Sequence, residues 1–335
     1  MIFVTGGTGV LGSHLLYELT KNGHAVRAIF RDSSKIETVR RVFDFYNPSE
    51  GKALFAKIEW VACDVLDIVS LEEAMRGCDV VYHCAALVSF QKKDFYKMMK
   101  INRQGTANVV NLSLDLKVKK LCFVSSTAAI SVDPEHLNAP LVEKNKWIQT
   151  PDTSGYAISK YSSEKEVWRG IEEGLDAVII NPSMIIGAGN WNESSLTILR
   201  TIASGFKFYT KGANAFVDAR DVAESMVQLM NSEIKNERFL CAGQNVSFRS
   251  LFTLVAKQLN VQPPTIYAGP FLSGIARRLD YVKSLFTGKR TLTKETEQSA
   301  QVVTEYNSSK LMNAIGIQFR SLEEMTQNAI AGKIE

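Results

Sequence analysis

Residues 5–12 read Thr5-Gly6-Gly7-Thr8-Gly9-Val10-Leu11-Gly12, and this stretch decides the fold. The apolar run Ile2–Thr5 ahead of it predicts a buried strand, and Val10–Lys21 behind it has helical spacing. Gly6, Gly9 and Gly12 therefore form G-x-x-G-x-x-G between a strand and a helix. In that setting one glycine allows a tight turn, one lets the backbone approach a pyrophosphate, and one lets the helix pack on the strand. The helix N-terminus then meets the anion with free N–H groups and the positive end of its dipole. Three spaced glycines alone are weak evidence. Their place between strand and helix makes the stretch a dinucleotide loop.

Outward from the loop, the pattern alternates. Ala25–Phe30, Lys57–Cys63, Val80–Cys84, Lys120–Ser125 and Gly174–Asn181 read as strands. Ser33–Tyr46, one long stretch from about Lys92 to Leu114, and Ser154–Ile171 read as helices. Strand–helix alternation implies an α/β fold of the Rossmann type, a doubly wound parallel sheet covered on both faces. After Pro182 the pattern loosens. Gly187–Asn192 is rich in turn residues, Phe206–Val217 is apolar but broken by glycine, and Val222–Asn231 is a short helix. Arg238–Ala242 returns as a last core strand, and from Ser247 helices are broken by Pro263-Pro264 and Gly269-Pro270. The expected division is a cofactor-binding core of residues 1–182 and about 213–243, with a smaller substrate-binding lobe of about 183–212 and 244–335.

Composition narrows the function. The chain has 335 residues, 45% of them apolar, enough for a full core. The net charge of +4 is spread along the chain, which argues against nucleic acid. The cluster Lys117, Lys119, Lys120 reads as a solvated helix-to-strand turn. The cysteines Cys63, Cys78, Cys84, Cys122 and Cys241 form no CxxC pair and have no histidine at metal spacing, so free thiols are expected and a metal site is not. No apolar run reaches the roughly 18 residues of a membrane span. Met1-Ile2-Phe3-Val4 runs straight into the glycine loop, without signal-peptide character. These features together predict a cytoplasmic protein.

Two further stretches carry chemistry. Tyr156-Ala157-Ile158-Ser159-Lys160 places a phenol and an ammonium one helical turn apart on one face. A carbonyl that takes a hydride needs a proton donor at its oxygen. A phenol suits that role once a nearby cation lowers its pKa, and Lys160 is placed to supply the cation and to hold ribose hydroxyls. Phe123-Val124-Ser125-Ser126-Thr127-Ala128-Ala129 ends a strand in a run of hydroxyls, one of which can orient the carbonyl.

Taken together, these segments resemble the extended short-chain dehydrogenase/reductase family, the NAD-dependent epimerase/dehydratase superfamily. The resemblance spans about residues 1–245 and is loose beyond. It makes Gly6, Thr8, Gly9, Val10, Leu11 and Gly12 the pyrophosphate loop. It implies adenine contacts by Asp64 and Val65. In His83-Cys84-Ala85-Ala86 it implies that Ala85 and Ala86 lie against the cofactor, with His83 structural. Asn102, in Asn102-Arg103-Gln104-Gly105-Thr106, would support the centre with Ser126, Tyr156 and Lys160, and Pro182 and Ser183 would flank the nicotinamide. Ungapped alignment selects Ser126 as the orienting hydroxyl, and a shift of one residue selects Thr127. Phe216–Ala223 resembles a later signature of the family, in which Asp221 caps a helix.

The cofactor is read from the second strand. Phe30 stands where an acidic residue would hold the ribose 2′-hydroxyl, and Arg31 follows it. An arginine can pair with a 2′-phosphate, and the run resembles the NADPH-using dihydroflavonol-reductase branch, so NADP is expected. NAD stays possible through Asp32. The first functional expectation is an NAD(P)H-dependent reductase of a ketone or aldehyde, or the reverse alcohol oxidation. The alternative is a nucleotide-sugar epimerase or dehydratase with bound NAD. Against it, Ile130-Ser131 replaces the Tyr-Gly pair of such enzymes, and Thr127-Ala128 lacks the dehydratase acidic pair. A non-catalytic dinucleotide sensor would have little need of Ser126, Tyr156 and Lys160 together. Trp191, Phe208, Tyr209, Phe271 and Phe286 are candidates to line an apolar substrate pocket. The family often pairs the helices near 92–114 and 154–171 in a homodimer.

Overall fold

The alternating apolar runs become a seven-stranded, wholly parallel sheet in the computed structural model, which describes residues 1–131, 139–269, 274, 297 and 299–334. Six strands come from residues 1–182: β1 (Ile2–Thr5), β2 (Val26–Phe30), β3 (Ile58–Ala62), β4 (Val80–His83), β5 (Lys120–Val124) and β6 (Ala177–Pro182). The chain then forms β7 (Met184–Ile186), β8 (Gly189–Asn190), β9 (Phe208–Tyr209), β10 (Ala213–Asp218), β11 (Glu237–Cys241) and β12 (Gln244–Ser247). In the main sheet the order is β11-β6-β5-β4-β1-β2-β3. The order reverses between β1 and β4, the place where a doubly wound sheet opens a ligand crevice at its carboxyl ends.

Helices cover both faces. One layer contains α1 (Val10–Lys21), α2 (Ile36–Tyr46) and α9 (Ala219–Asn231); the other contains α4 (Ile68–Met75), α6 (Gly105–Asp115) and α7 (Gly155–Glu172). The smaller helices are α3 (Gly51–Phe55), α5 (Phe95–Met98), α8 (Thr197–Ala203), α10 (Phe248–Gln258), α11 (Ser309–Ile315) and α12 (Leu322–Ala331). The period of two along a strand divides the core. In β5, Cys122 and Val124 pack with Leu15, Leu19 and Met226, while Leu121 and Phe123 pack with Leu71, Val110 and Val167. Both faces of each central strand are therefore apolar, which explains why these strands read as unbroken apolar runs.

The segment 92–115 is less uniform than the single helix its spacing predicts. A 3₁₀ turn at Lys92–Asp94 leads into α5, a π-helical stretch Met99–Gln104, and then α6. The π stretch carries Asn102, and such bulges re-aim side chains inside a helix.

The segment about 213–243 divides between two sheets. Glu237–Cys241 forms the edge of the main sheet beside β6, whereas Ala213–Asp218 pairs with β7 and β12 in a three-stranded sheet. There Phe216 joins a separate core with Trp191, Leu199, Leu251, Val255 and Met325. Strands β7 and β12 and helix α8 escape the sequence reading because elements of three to seven residues hold too little periodicity to register. Asp218, not Asp221, caps α9, accepting from Arg220 N at 2.8 Å. Asp221 instead accepts from Arg320 N at 2.9 Å and pairs with its guanidinium, which ties the chain ahead of α12 to the main sheet's helix layer.

Candidate active site

The glycine loop lies at the sheet's reversal point. Gly6 has φ +70°, and a Cβ there would sit 2.6 Å from Ala85 N, so both conformation and proximity to the Cys84–Ala85 backbone require glycine. A Cβ on Gly12 would collide with the Gly6 carbonyl oxygen, whereas at Gly9 the nearest atom would be 3.5 Å away. Gly9 begins α1 without a side-chain cap, leaving the first N–H groups of the helix for an external acceptor. This cradle fits a pyrophosphate. Gly12→Ala must push the loop off the helix. We expect a loss of about 1–3 kcal/mol in stability and weaker dinucleotide binding, checked by denaturant unfolding and by titration.

The floor of the crevice is fixed by a buried hydrogen-bond relay. Thr5 Oγ1 accepts from Ala85 N (3.1 Å) and lies 2.7 Å from His83 Nδ1; His83 Nε2 lies 2.9 Å from Thr106 Oγ1, which donates to Asn102 O (2.6 Å). A proton on Nε2 satisfies every member. Burial, with the nearby Lys160 charge, pushes His83 down to about 3, so the ring is a neutral strut. Asn102 is equally committed. Its Oδ1 accepts from Leu87 N (2.7 Å), and its Nδ2 donates to Leu87 O and to Ser159 Oγ, both at 2.9 Å. It locks the loop after β4 onto α7 and makes no bond to Lys160 among the described residues.

At the β2–β3 end of the crevice, the tips of the two strands bring Arg31 and Asp64 together, Nη1 to Oδ2 at 3.8 Å, both heads half exposed. Phe30 packs edge-on against Trp60. Asp32 is turned away, accepting from Ser34 N at 3.0 Å and Ser34 Oγ at 2.6 Å, which lowers its pKa. Val65 is placed by two residues. Asn108 Nδ2 donates to its carbonyl at 2.9 Å, and Gly105 leaves room for its methyl, which would lie 2.7 Å from a Cβ. Asn108 was not singled out from sequence; its spacing six residues after Asn102 on a helix over the crevice is the only signal.

At the chemical end, Ser154 caps α7 by accepting from Ala157 N at 3.0 Å, which sets Tyr156 in the first turn. Burial raises the Tyr156 pKa, and the Ser126 hydroxyl, as its hydrogen-bonding partner, opposes the shift. The Thr127 hydroxyl acts on Tyr306 instead. Ser126 is thus the hydroxyl that faces the phenol. Lys160 is 2% exposed; its Nζ donates to Val124 O at 2.6 Å and sits 4.6 Å from the Phe123 ring centre. Burial pushes Lys160 down to about 8, opposed chiefly by the charge of Glu164. The spacing of the two residues did not show that the ammonium also meets a carbonyl and a ring face. Ser183 Oγ is buried and has no hydrogen-bond partner among the described residues, an open valence beside Pro182 for a bound ligand.

Of the aromatic candidates, Trp191 is 3% exposed and donates to Ala329 O at 3.2 Å, so it belongs to the separate core with Phe216 and Leu199. Phe208 and Tyr209 are half-buried in β9, and Phe271 and Phe286 lie outside the described residues. Phe90, not anticipated, packs edge-on to Tyr156 at 6.0 Å and is 40% exposed. No helix among the described residues is long and apolar enough to cross a membrane.

Comparison with known proteins agrees with this architecture. The NAD dependent epimerase/dehydratase family matches residues 2–242. The chain is 31% identical over 253 residues to cinnamoyl-CoA reductase 1 of Petunia hybrida, covering 72% of each chain. It is 28% identical over 258 residues to a putative dihydroflavonol 4-reductase of Synechocystis, covering 74% of this chain and 69% of that one. Among solved structures, gox2253 superposes with a TM-score of 0.80 at 25% identity, covering 99% of this chain and 97% of that one. The UDP-glucose 4-epimerase of Thermotoga maritima shares the fold with a TM-score of 0.73 at 19% identity, covering 98% and 97%. A parallel sheet reversing at a glycine cradle, a family match over its whole extent and reductase relatives lead to one conclusion: this chain belongs to the NAD dependent epimerase/dehydratase family and is an NAD(P)-dependent oxidoreductase-type enzyme of the extended short-chain dehydrogenase/reductase group.

Proposed function

We propose that the protein is an NADPH-dependent reductase of a ketone or aldehyde carbonyl, also able to run the reverse alcohol oxidation, with Tyr156 as proton donor. The observation that carries this is the Ser126–Tyr156 pair at the end of β5, with the tyrosine half-buried and its pKa raised. A phenol shifted upward is protonated at neutral pH, the form a reduction needs. The nicotinamide, when bound, supplies the hydride. Ser126 holds the carbonyl oxygen, Tyr156 delivers a proton to it, and Lys160, charged at neutral pH, stabilises the phenolate left behind. Asn102 holds the wall of the site in place. Gly6, Thr8, Gly9, Val10, Leu11 and Gly12 would cradle the pyrophosphate, and Asp64 and Val65 the adenine. Ala85, Ala86, Pro182 and Ser183 would line the path to the nicotinamide. The half-exposed Phe90 ring against Tyr156 fits a substrate with an apolar body, in keeping with the cinnamoyl-CoA and anthocyanidin reductases among the relatives.

Arg31 supports NADPH over NADH, since its exposed guanidinium can take a 2′-phosphate by a forked bond. Arg31→Ala should lower kcat/KM with NADPH by roughly 10- to 100-fold and leave NADH turnover near its starting value. The test of the whole reading is a panel of ketones and aldehydes assayed with NADPH and NADH, alongside the identity of any dinucleotide that co-purifies. Tightly held NAD with a preference for nucleotide sugars would overturn it in favour of an epimerase.

A further inference from the structure

Glu164 is a buried charge that the proposed reaction leaves unused. It stands four residues after Lys160 and eight after Tyr156, so the three side chains share one face of α7. It is 2% exposed, and a lone carboxylate at such depth would be expelled or neutralised. Here both oxygens are filled. Oε2 accepts from Ser125 Oγ at 2.7 Å and from Asn181 Nδ2 at 3.0 Å; Oε1 accepts from Arg238 Nη1 at 2.8 Å and Trp168 Nε1 at 3.2 Å.

The donors sit at functional joints. Ser125 immediately precedes Ser126, and Asn181 immediately precedes Pro182 while also donating to Ser126 O at 2.9 Å. Arg238, on β11, is held from behind by the carbonyls of Glu143 (Nε at 2.9 Å) and Asn145 (Nη2 at 3.1 Å). One carboxylate therefore ties three adjacent parallel strands, β5, β6 and β11, to the helix that carries Tyr156 and Lys160.

It also completes the charge around Lys160. The ammonium's own contacts are the Val124 carbonyl and the Phe123 ring, neither of which is a counter-ion. The other groups that face it are Tyr156, and His83 and Cys84 at the end of β4. Burial keeps His83 neutral and pushes the Cys84 thiol up to about 12, so neither supplies a negative charge at neutral pH. Beyond Glu164 lie Arg238, a competing cation, and Glu143, whose carboxylate accepts from Leu240 N at 2.8 Å. We propose that Glu164 is a positioning residue: its buried charge keeps Lys160 protonated, and its bonds to Ser125 and Asn181 hold Ser126 in register with Tyr156. The inference rests on the reading of Tyr156 and Lys160 as the reacting centre.

The test reads Lys160 directly. Protein labelled with ¹³Cε-lysine and free of cofactor is titrated by NMR, the Lys160 signal being identified by its loss in Lys160→Met. Glu164→Gln, which keeps shape and removes charge, should lower the Lys160 midpoint by roughly one to two pH units. Arg238→Gln removes the competing cation and should move it the opposite way, so the pair of variants keeps the test decisive if one does not fold. Glu164→Asp should restore the midpoint to within about half a unit of wild type. In the reductive assay the alkaline limb of kcat should move with the midpoint, which a purely structural role would not produce. A midpoint unmoved in both charge variants overturns the proposal. A failure of the functional reading shows separately, as full turnover in Tyr156→Phe with the Glu164–Lys160 coupling intact.

Discussion

Tyr156→Phe lowers kcat for carbonyl reduction by about 10²- to 10⁴-fold while KM for NADPH stays near wild type. The substitution removes one oxygen. The ring stays edge-on to Phe90, and α7 keeps its Ser154 cap, so neither fold nor cofactor site is disturbed. What is lost is the proton at the carbonyl oxygen and the partner of the Ser126 hydroxyl. Ser126→Ala should follow the same pattern with a smaller loss, because water can replace an orienting hydroxyl more readily than a proton donor. Thr127→Ala separates the two registers left open by sequence. Its hydroxyl acts on Tyr306, so kcat should stay within about threefold of wild type. Steady-state kinetics of the three variants against the best carbonyl found in the panel checks this ordering. Full turnover in Tyr156→Phe would place the proton donor elsewhere.

The ease with which Tyr156 is found, and the difficulty of finding Glu164, have one physical origin. Signals that are local in sequence survive translation into structure. Gly6 and Gly12 are demanded by contacts with Ala85 and with the loop itself, and the strand-loop-helix context sits within a dozen residues. The central sheet strands announce themselves because both their faces are buried. Tyr156 and Lys160 are one turn apart. Glu164 is one turn further, yet its meaning depends on Ser125, Asn181 and Arg238, which come together only after three strands pair. No spacing rule links those positions. The surroundings of Lys160 are illegible for the same reason. Spacing puts it beside the phenol, but the Val124 carbonyl and Phe123 ring that capture its ammonium lie on another element. The segments after Pro182 were the least legible part. Their strands are two to six residues long, and β10 pairs with β7 and β12 outside the main sheet.

Lys160→Met should abolish most turnover and yet make the protein more stable at neutral pH. The argument is one of sign. In the unfolded chain this lysine titrates at 10.5, and in the folded protein burial brings it down to about 8. Between those values the folded state binds fewer protons than the unfolded state, so stability rises with pH across the window. Below pH 8 the folded protein carries the full cost of burying the ammonium, on the order of 3 kcal/mol. Methionine is similar in length, carries no charge and fills the same space against Phe123. It forfeits the bond to Val124 O, worth about 1 kcal/mol, and leaves Glu164 with Arg238 as its cation. A net gain of about 1–2 kcal/mol at pH 7 remains, and the rise in stability between pH 8 and 10.5 should flatten. Urea unfolding of wild type and variant at pH 7 and pH 10 measures both effects. Catalysis moves the other way, with kcat falling about 10²-fold or more once the phenolate loses its cation. A less stable Lys160→Met at pH 7 would mean that the ammonium is a net stabilising element, and that its charge is not held in place at a cost to the fold. The expected outcome, a dead and sturdier protein, is the signature of a residue kept for chemistry.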